Sequence, residues 1–98
     1  MFQTYSITCS LTIPGGVATT ADTVCTVDPD GGGASTTITI PAGQTSAVGT
    51  GYSDGMYTVS VPDITIGGNT YTKPSSNSVT ISGADQTSSF SYTQTVST

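Results

Sequence analysis

Apolar and polar residues alternate along the first part of the chain, from residue 4 to residue 13. The apolar positions are Tyr5, Ile7, Cys9, Leu11 and Ile13, and Ser or Thr fills the positions between them. A period of two predicts a strand with one buried face. Threonine is β-branched, so it favours the pleated conformation without adding charge. We therefore predict a half-buried strand here.

The same alternation returns in shorter runs, and residues with turn chemistry separate them. Gly67, Gly68 and Asn69 tolerate a positive φ, so residues 64–66 and 70–72 are predicted to form a hairpin. No window shows helical spacing. We predict an all-β, antiparallel β-sandwich of about seven strands in a single domain that covers residues 1–98. The other predicted strands span residues 23–27, 36–40, 56–61, 77–82 and 88–96.

The charge balance excludes two classes of partner. The 98 residues carry one basic side chain, six acidic ones and a formal charge of −5. One basic residue cannot neutralise a phosphate backbone or an anionic lipid surface, so we expect no nucleic acid and no membrane as partner. Residues 1–4 lack the basic and apolar regions of a signal peptide. We expect a monomeric module from a larger secreted protein, tethered to other domains.

Cys9 and Cys25 are the only cysteines, and each lies on the apolar face of its predicted strand. If the first two strands pair as an antiparallel hairpin centred near Val17, Ile7 faces Val27 and Cys9 faces Cys25. We predict a disulfide, worth about 3 kcal/mol in the chain-entropy model, and an extracellular location. Two reduced, buried thiols are the alternative. No histidine or third thiol is present to complete a metal site.

The acidic residues offer little chemistry. All lie at predicted turns or strand ends, where Asp bonds to nearby backbone groups. Histidine is absent and no Asp lies in an apolar setting, so we expect no enzyme activity. Asp28 and Asp30 are weak candidates for a calcium loop, but a third alternating acid and a downstream Glu are missing. A plain turn is favoured, and no cofactor is expected. The six residues are Asp22, Asp28, Asp30, Asp54, Asp63 and Asp85.

Aromatic side chains are the remaining candidates for ligand contact, because sugar rings stack on exposed aromatic faces. Tyr52 falls in a predicted loop over residues 49–55, and Tyr71 follows the glycine turn, so both are predicted to be exposed. Together with Asp54 and Asn69 they form the predicted carbohydrate-binding set. A tyrosine that covers a loop and bonds locally is the alternative. The other aromatic residues in phase with the core are Tyr5, Tyr57, Phe90 and Tyr92.

Residues 54–62 read Asp-Gly-Met-Tyr-Thr-Val-Ser-Val-Pro. This stretch resembles the Gly-x-Tyr-x-Val-x-Val-Pro strand of transthyretin-like modules, which include carboxypeptidase-regulatory and collagen-adhesin B-type relatives. Residues 71–81, 83–87 and 90–92 look like the closing strands of such modules, so the resemblance covers roughly residues 36–93. It implies an immunoglobulin-like or transthyretin-like accessory module, as found in secreted carbohydrate-active enzymes and surface proteins. The Lys–Asn/Asp isopeptide of surface relatives is not expected, because Glu is absent and Lys73 precedes a proline.

Two functions remain. The first is a non-catalytic carbohydrate-binding module that targets an attached enzyme to a polysaccharide or oligosaccharide. The alternative is a structural spacer or adhesin-type surface module with no small ligand. An exposed cluster of Tyr, Asp or Asn would favour the first, whereas faces covered uniformly by Ser and Thr would favour the second.

Overall fold

The computed structural model describes residues 3–95, and over this range it is built from strands and turns. It confirms the all-β fold, although the described residues form ten strands where about seven were predicted. The predicted last strand is divided at Tyr92, and its final residue, Val96, lies outside the described residues. The strands are β1 Tyr5–Thr12, β2 Thr23–Pro29, β3 Thr36–Ile40, β4 Ser46–Tyr52, β5 Gly55–Ser60, β6 Ile64–Ile66, β7 Asn69–Thr72, β8 Asn77–Ile81, β9 Gln86–Ser91 and β10 Thr93–Thr95.

Three sheets contain these strands. The first sheet has the order β4-β1-β9, the second has the order β3-β2-β5-β8, and the small sheet has the order β10-β7-β6. All pairs are antiparallel except β1 and β9, which run in the same direction. The first and last strands of the first sheet therefore lie side by side with the same orientation.

Alternation places the apolar side chains of the sheets in one core. On β1, Ile7, Cys9 and Leu11 are buried, whereas Thr12 is exposed. Burying such side chains stabilises a fold by roughly 25 cal/mol per Å² of apolar area removed from water. The outward positions carry mainly Ser and Thr, which suit a pleated surface facing water. The largest fully buried side chains are those of Tyr71, Phe90, Ile7, Ile40, Ile81, Val27, Val59, Cys9 and Cys25.

Cys9 and Cys25 form a disulfide, with their Cα atoms 6.7 Å apart. The predicted hairpin between the first two strands is wrong, because β1 belongs to the first sheet and β2 to the second. The connection between them contains a short 3-10 turn, Pro14–Gly16, in which Gly15 has a φ of 78°. The bond therefore joins two sheets across the core. Inward side chains of facing sheets interdigitate in the core, so the inward orientation of both cysteines could not by itself distinguish the two arrangements.

Strand β4 is absent from the sequence prediction, because Gly49 and Gly51 interrupt its pattern. Between two successive pairs, Tyr5↔Tyr52 and Ile7↔Gly49, β1 advances by two residues and β4 by three. Strand β4 therefore has one extra residue at this point. Gly51 has a φ of 91°, a conformation that glycine adopts without a Cβ clash. This bulge shifts the alternation by one residue and turns Tyr52 toward the core.

The small sheet contains the predicted hairpin. Ile66 pairs with Asn69, and Gly67 and Gly68 have φ values of 56° and 85°, so the loop between the strands has two residues. Strand β10 then pairs with the other side of β7, through Gln94↔Tyr71. The addition of β10 makes β7 a central strand rather than the exposed edge of a hairpin.

Candidate functional site

A cavity of about 290 Å³ lies between the start of β3 and the end of β4. Two of its walls are aromatic, Tyr52 and Tyr57, whose ring centroids are 5.4 Å apart in an edge-to-face arrangement. Threonine, serine and glycine residues supply most of the remaining lining, and none of the lining residues in the described part of the chain is charged. Such walls suit a small uncharged ligand with hydroxyl groups. The other lining residues are Pro29, Thr36, Thr37, Gly49, Thr50, Gly51 and Ser53.

Hydrogen bonds fix both cavity tyrosines. The hydroxyl of Tyr52 lies 2.9 Å from Thr36 Oγ1, and the hydroxyl of Tyr57 donates to the Ser53 carbonyl at 2.7 Å. Gly49 leaves the space that this arrangement needs, because a Cβ there would lie 2.6 Å from Ile38 Cγ1 and 3.1 Å from the Tyr52 hydroxyl. The position of the Tyr52 ring is therefore set by a missing side chain as well as by a hydrogen bond.

The expectation that Tyr52 and Tyr71 are exposed is wrong. Tyr52 is 7% exposed and Tyr71 is 1% exposed. The bulge in β4 turns the first ring inward, and the second ring belongs to the buried hydrophobic core. Tyr52 still borders the cavity, whereas Tyr71 lies in the core of the small sheet and presents no face to a ligand.

The four residues of the predicted carbohydrate set lie in different places. Tyr52 is on β4 and Tyr71 on β7, in sheets that share no strand. Asp54 lies just after β4, and its Oδ1 accepts a hydrogen bond from the Gly83 backbone N–H at 3.1 Å. Asn69 is exposed at the first position of β7. Of the four, Tyr52 alone lines the cavity.

Asp28 and Asp30, the weak calcium candidates, each hold a hydroxyl group. Asp28 Oδ1 accepts from Ser35 Oγ at 3.1 Å, and Asp30 Oδ1 accepts from Thr58 Oγ1 at 2.6 Å. Within residues 3–95, no group of three or more His, Cys, Asp or Glu side chains is placed to hold a metal ion.

The remaining aspartates also hold structure together, but over longer distances along the chain than local turn bonds would. Each accepts a hydrogen bond from a backbone N–H of another loop or strand at 2.9–3.1 Å. Such charge-assisted bonds are stronger than neutral ones. The pairs are Asp22 with Ala42, Asp54 with Gly83, Asp63 with Lys73, and Asp85 with Ser6.

Tyr92 joins β9 to the segment before β6. Its hydroxyl donates to the Pro62 carbonyl at 2.8 Å, and its side chain is buried. Burial and, to a smaller extent, the negative charge of Asp63 together raise the pKa of Tyr92 to about 12. Both causes favour the neutral phenol, which is the form that donates this hydrogen bond.

Sequence reasoning misses most of the cavity. The alternation assigns Tyr57 to the core, and it does not single out Thr36, Gly49 or Thr50. The one usable signal is the Gly-Thr-Gly-Tyr run over residues 49–52, in which missing side chains leave space beside an aromatic ring. That signal does not show which other strand closes the cavity.

Comparison with known proteins gives no family for this chain. No family model matches it, and neither the curated proteins nor the solved structures include a match. The described residues contain no helix long and apolar enough to cross a membrane. The interpretation of the site therefore depends on its geometry.

Proposed function

We propose that this domain is a structural module that holds neighbouring parts of an extracellular protein apart, and that it is not an enzyme. The observation that carries the proposal is the parallel pairing of β1 with β9. The chain enters β1 at Tyr5 and leaves β9 at Ser91, which lies opposite Thr12 at the far end of β1. Anything joined to the two ends is therefore held on opposite sides of a body whose Cα atoms span 55 × 21 × 19 Å.

The surface supports the same function. The aromatic residues of the core, from Tyr52 to Tyr92, are buried, and no aromatic side chain within residues 3–95 is among the exposed large hydrophobic ones. The carboxylates hold loops and strands together, and the outward faces of the strands carry mainly Ser and Thr. Exposed apolar residues occur singly, as is normal for a soluble protein. They are Val17, Val24, Val48 and Met56.

A β-sandwich of the transthyretin-like kind suits this function, and we favour it over the immunoglobulin-like alternative. In a constant-type immunoglobulin domain, the first, second, fourth and fifth strands share one sheet. Here β1 and β4 lie in the first sheet, whereas β2 and β5 lie in the second. The sequence pattern over residues 54–62, which resembles the Gly-x-Tyr-x-Val-x-Val-Pro strand, supports the transthyretin-like choice. Fold analogy by itself assigns no ligand.

The disulfide supports the extracellular location. Such bonds persist in oxidising compartments and are rare in the cytosol. A small domain with short strands also gains from a covalent link, because its core contributes only a small margin of stability. The bond between β1 and β2 therefore fits a secreted module, tethered as a monomer within a larger protein.

The cavity beside Tyr52 favours a second function, the binding of a neutral sugar unit. Its aromatic walls and hydroxyl groups match the chemistry of a saccharide, and its volume of about 290 Å³ is near the lower end of ligand pockets. Binding there would use Tyr52 and Thr36, but neither Tyr71 nor Asn69. A ligand without charge would bind with little dependence on salt.

Binding measurements on a glycan array and on insoluble polysaccharides separate the two functions. The structural function predicts no retention of the protein. Retention that is lost in Thr36→Val and kept in Thr39→Val would establish the cavity as a sugar site. Both substitutions lie on β3, but Thr36 alone contacts the Tyr52 hydroxyl through a hydrogen bond. Retention that disappears with a chelator would instead indicate a bound cation.

A further inference from the structure

We propose that the β1–β9 pair, supported by the Cys9–Cys25 bond, is a mechanical clamp that carries tension applied through the two ends of the domain. The proposal rests on the structural function argued above and adds to it a property that a simple spacer does not need. A spacer must only hold its neighbours apart, whereas a clamp must resist being pulled.

The direction of the strands decides how tension acts on the pair. Six residue pairs connect β1 to β9, from Ile7↔Gln86 to Thr12↔Ser91. Tension between the Tyr5 end of β1 and the far end of β9 draws the strands past each other along their length. The hydrogen bonds of a parallel pair run across the strands and are evenly spaced. The load is therefore shared by many bonds, which must break together.

Further contacts hold β1 at both ends of this pair. Near its start, the Ser6 N–H donates to Asp85 Oδ1 at 2.9 Å. At its end, the Thr12 carbonyl accepts from the Tyr92 N–H at 2.9 Å. Strand β4 pairs with the other edge of β1, so β1 is the central strand of its sheet. Sliding β1 out of place breaks two rows of hydrogen bonds and exposes buried apolar side chains.

The disulfide limits how far the chain can extend once the pair breaks. It lies within β1 and connects that strand to β2 in the second sheet. After β1 and β9 have separated, a pull on the Tyr5 side passes through Cys9 directly to Cys25, and residues 10–24 are not stretched. Only the remainder of the chain can be extended while the bond is intact.

Single-molecule force measurements on the full chain test the clamp. One pair of handles is attached before residue 3 and after residue 95, and a second pair at residues 3 and 53. The second pair pulls at one end of the β1–β4 ladder, where Tyr5 lies opposite Tyr52, so the residue pairs break one after another. We expect a several-fold higher rupture force for the first geometry. Similar forces in the two geometries would overturn the proposal.

Two further measurements sharpen this test. Asp85→Ala, which removes the Ser6 contact, is expected to lower the rupture force more than Asp22→Ala, whose partner Ala42 lies away from the β1–β9 pair. Equal losses would contradict the assignment of the load to this pair. Reduction of the disulfide, which spans 16 residues, is expected to lengthen the extended chain by about 50 Å. An unchanged length would show that the bond lies outside the load path.

These outcomes separate the clamp from the structural function on which it rests. If the rupture forces are equal and the ends of the domain remain far apart, the clamp is rejected and the structural function stands. If the ends are close together, both are rejected.

Discussion

The two larger sheets and the small sheet bury their side chains by different means. The larger sheets have strands of five to eight residues and a covalent bond between them. The small sheet has strands of three or four residues, and its largest fully buried side chain is that of Tyr71. On these short strands the fully buried ring of Tyr71 supplies much of the buried apolar area. The comparison predicts which substitutions damage each region most.

The largest expected effect is in the small sheet. Tyr71→Ala removes a fully buried ring, and we expect a loss of about 3–5 kcal/mol in the free energy of unfolding. Tyr52→Ala is expected to cost less, because its ring borders a cavity that water can enter. Denaturant titration of both variants measures the difference. A larger loss for Tyr52→Ala would contradict the proposed division between the two regions.

Removal of the disulfide is expected to have the next largest effect on stability. Cys9→Ala together with Cys25→Ala is expected to lower the free energy of unfolding by about 3 kcal/mol. For a domain of this size, that loss corresponds to a fall in Tm of more than ten degrees, at roughly 4–8 °C per kcal/mol. Thermal melting with and without reductant gives the measurement. The double variant serves as the control, because reductant should shift the parent and leave the variant unchanged.

A methyl group at Gly49 tests the packing around Tyr52. We expect Gly49→Ala to cost about 1–3 kcal/mol, because Ile38 and the Tyr52 ring must move to admit the new Cβ. Gly31→Ala is the matched control, since no atom lies within 4 Å of a Cβ at that position. Equal stability of the two variants in a denaturant titration would show that Gly49 is not required for this packing.

The smallest expected effect is a change with pH in the stability that Tyr92 contributes. Because the pKa of Tyr92 is raised to about 12 in the folded protein, its contribution to stability is complete below pH 10 and is lost as the pH rises to about 12. Tyr92→Phe removes both this titration and the bond to Pro62, which is worth about 1 kcal/mol. The parent should therefore be more stable at neutral pH, and its advantage should shrink in alkali. A constant difference across this range would contradict the stated cause.

The strand pattern could be predicted wherever alternation is unbroken. Strand β1, the hairpin of β6 and β7, and the inward orientation of Cys9 and Cys25 are all determined by local residue order. Strand β4 could not be predicted, because its two glycines hide the alternation and its bulge reverses it. The same bulge explains why the sequence pattern places Tyr52 in a loop.

The arrangement of the sheets could not be predicted, because alternation reports which face of a strand is buried and not which strand lies opposite. A hairpin and a pair of facing sheets both bring Cys9 and Cys25 together. The long-range bonds of the aspartates, such as Asp85 with Ser6, have no local signature either. The cavity escapes prediction for the same reason, since β3 and β4 close it only in the folded chain.

The distance between the two ends of the domain tests the central claim most directly. Fluorescent labels are attached at residues 3 and 94 through non-cysteine chemistry, so that the disulfide stays intact, and energy transfer is measured in single molecules. Parallel β1 and β9, followed by β10, predict a narrow distribution centred at roughly 40 Å, from a rise of about 3.3 Å per residue. A short distance, as expected if the first and last strands ran in opposite directions, or a broad distribution would contradict the account.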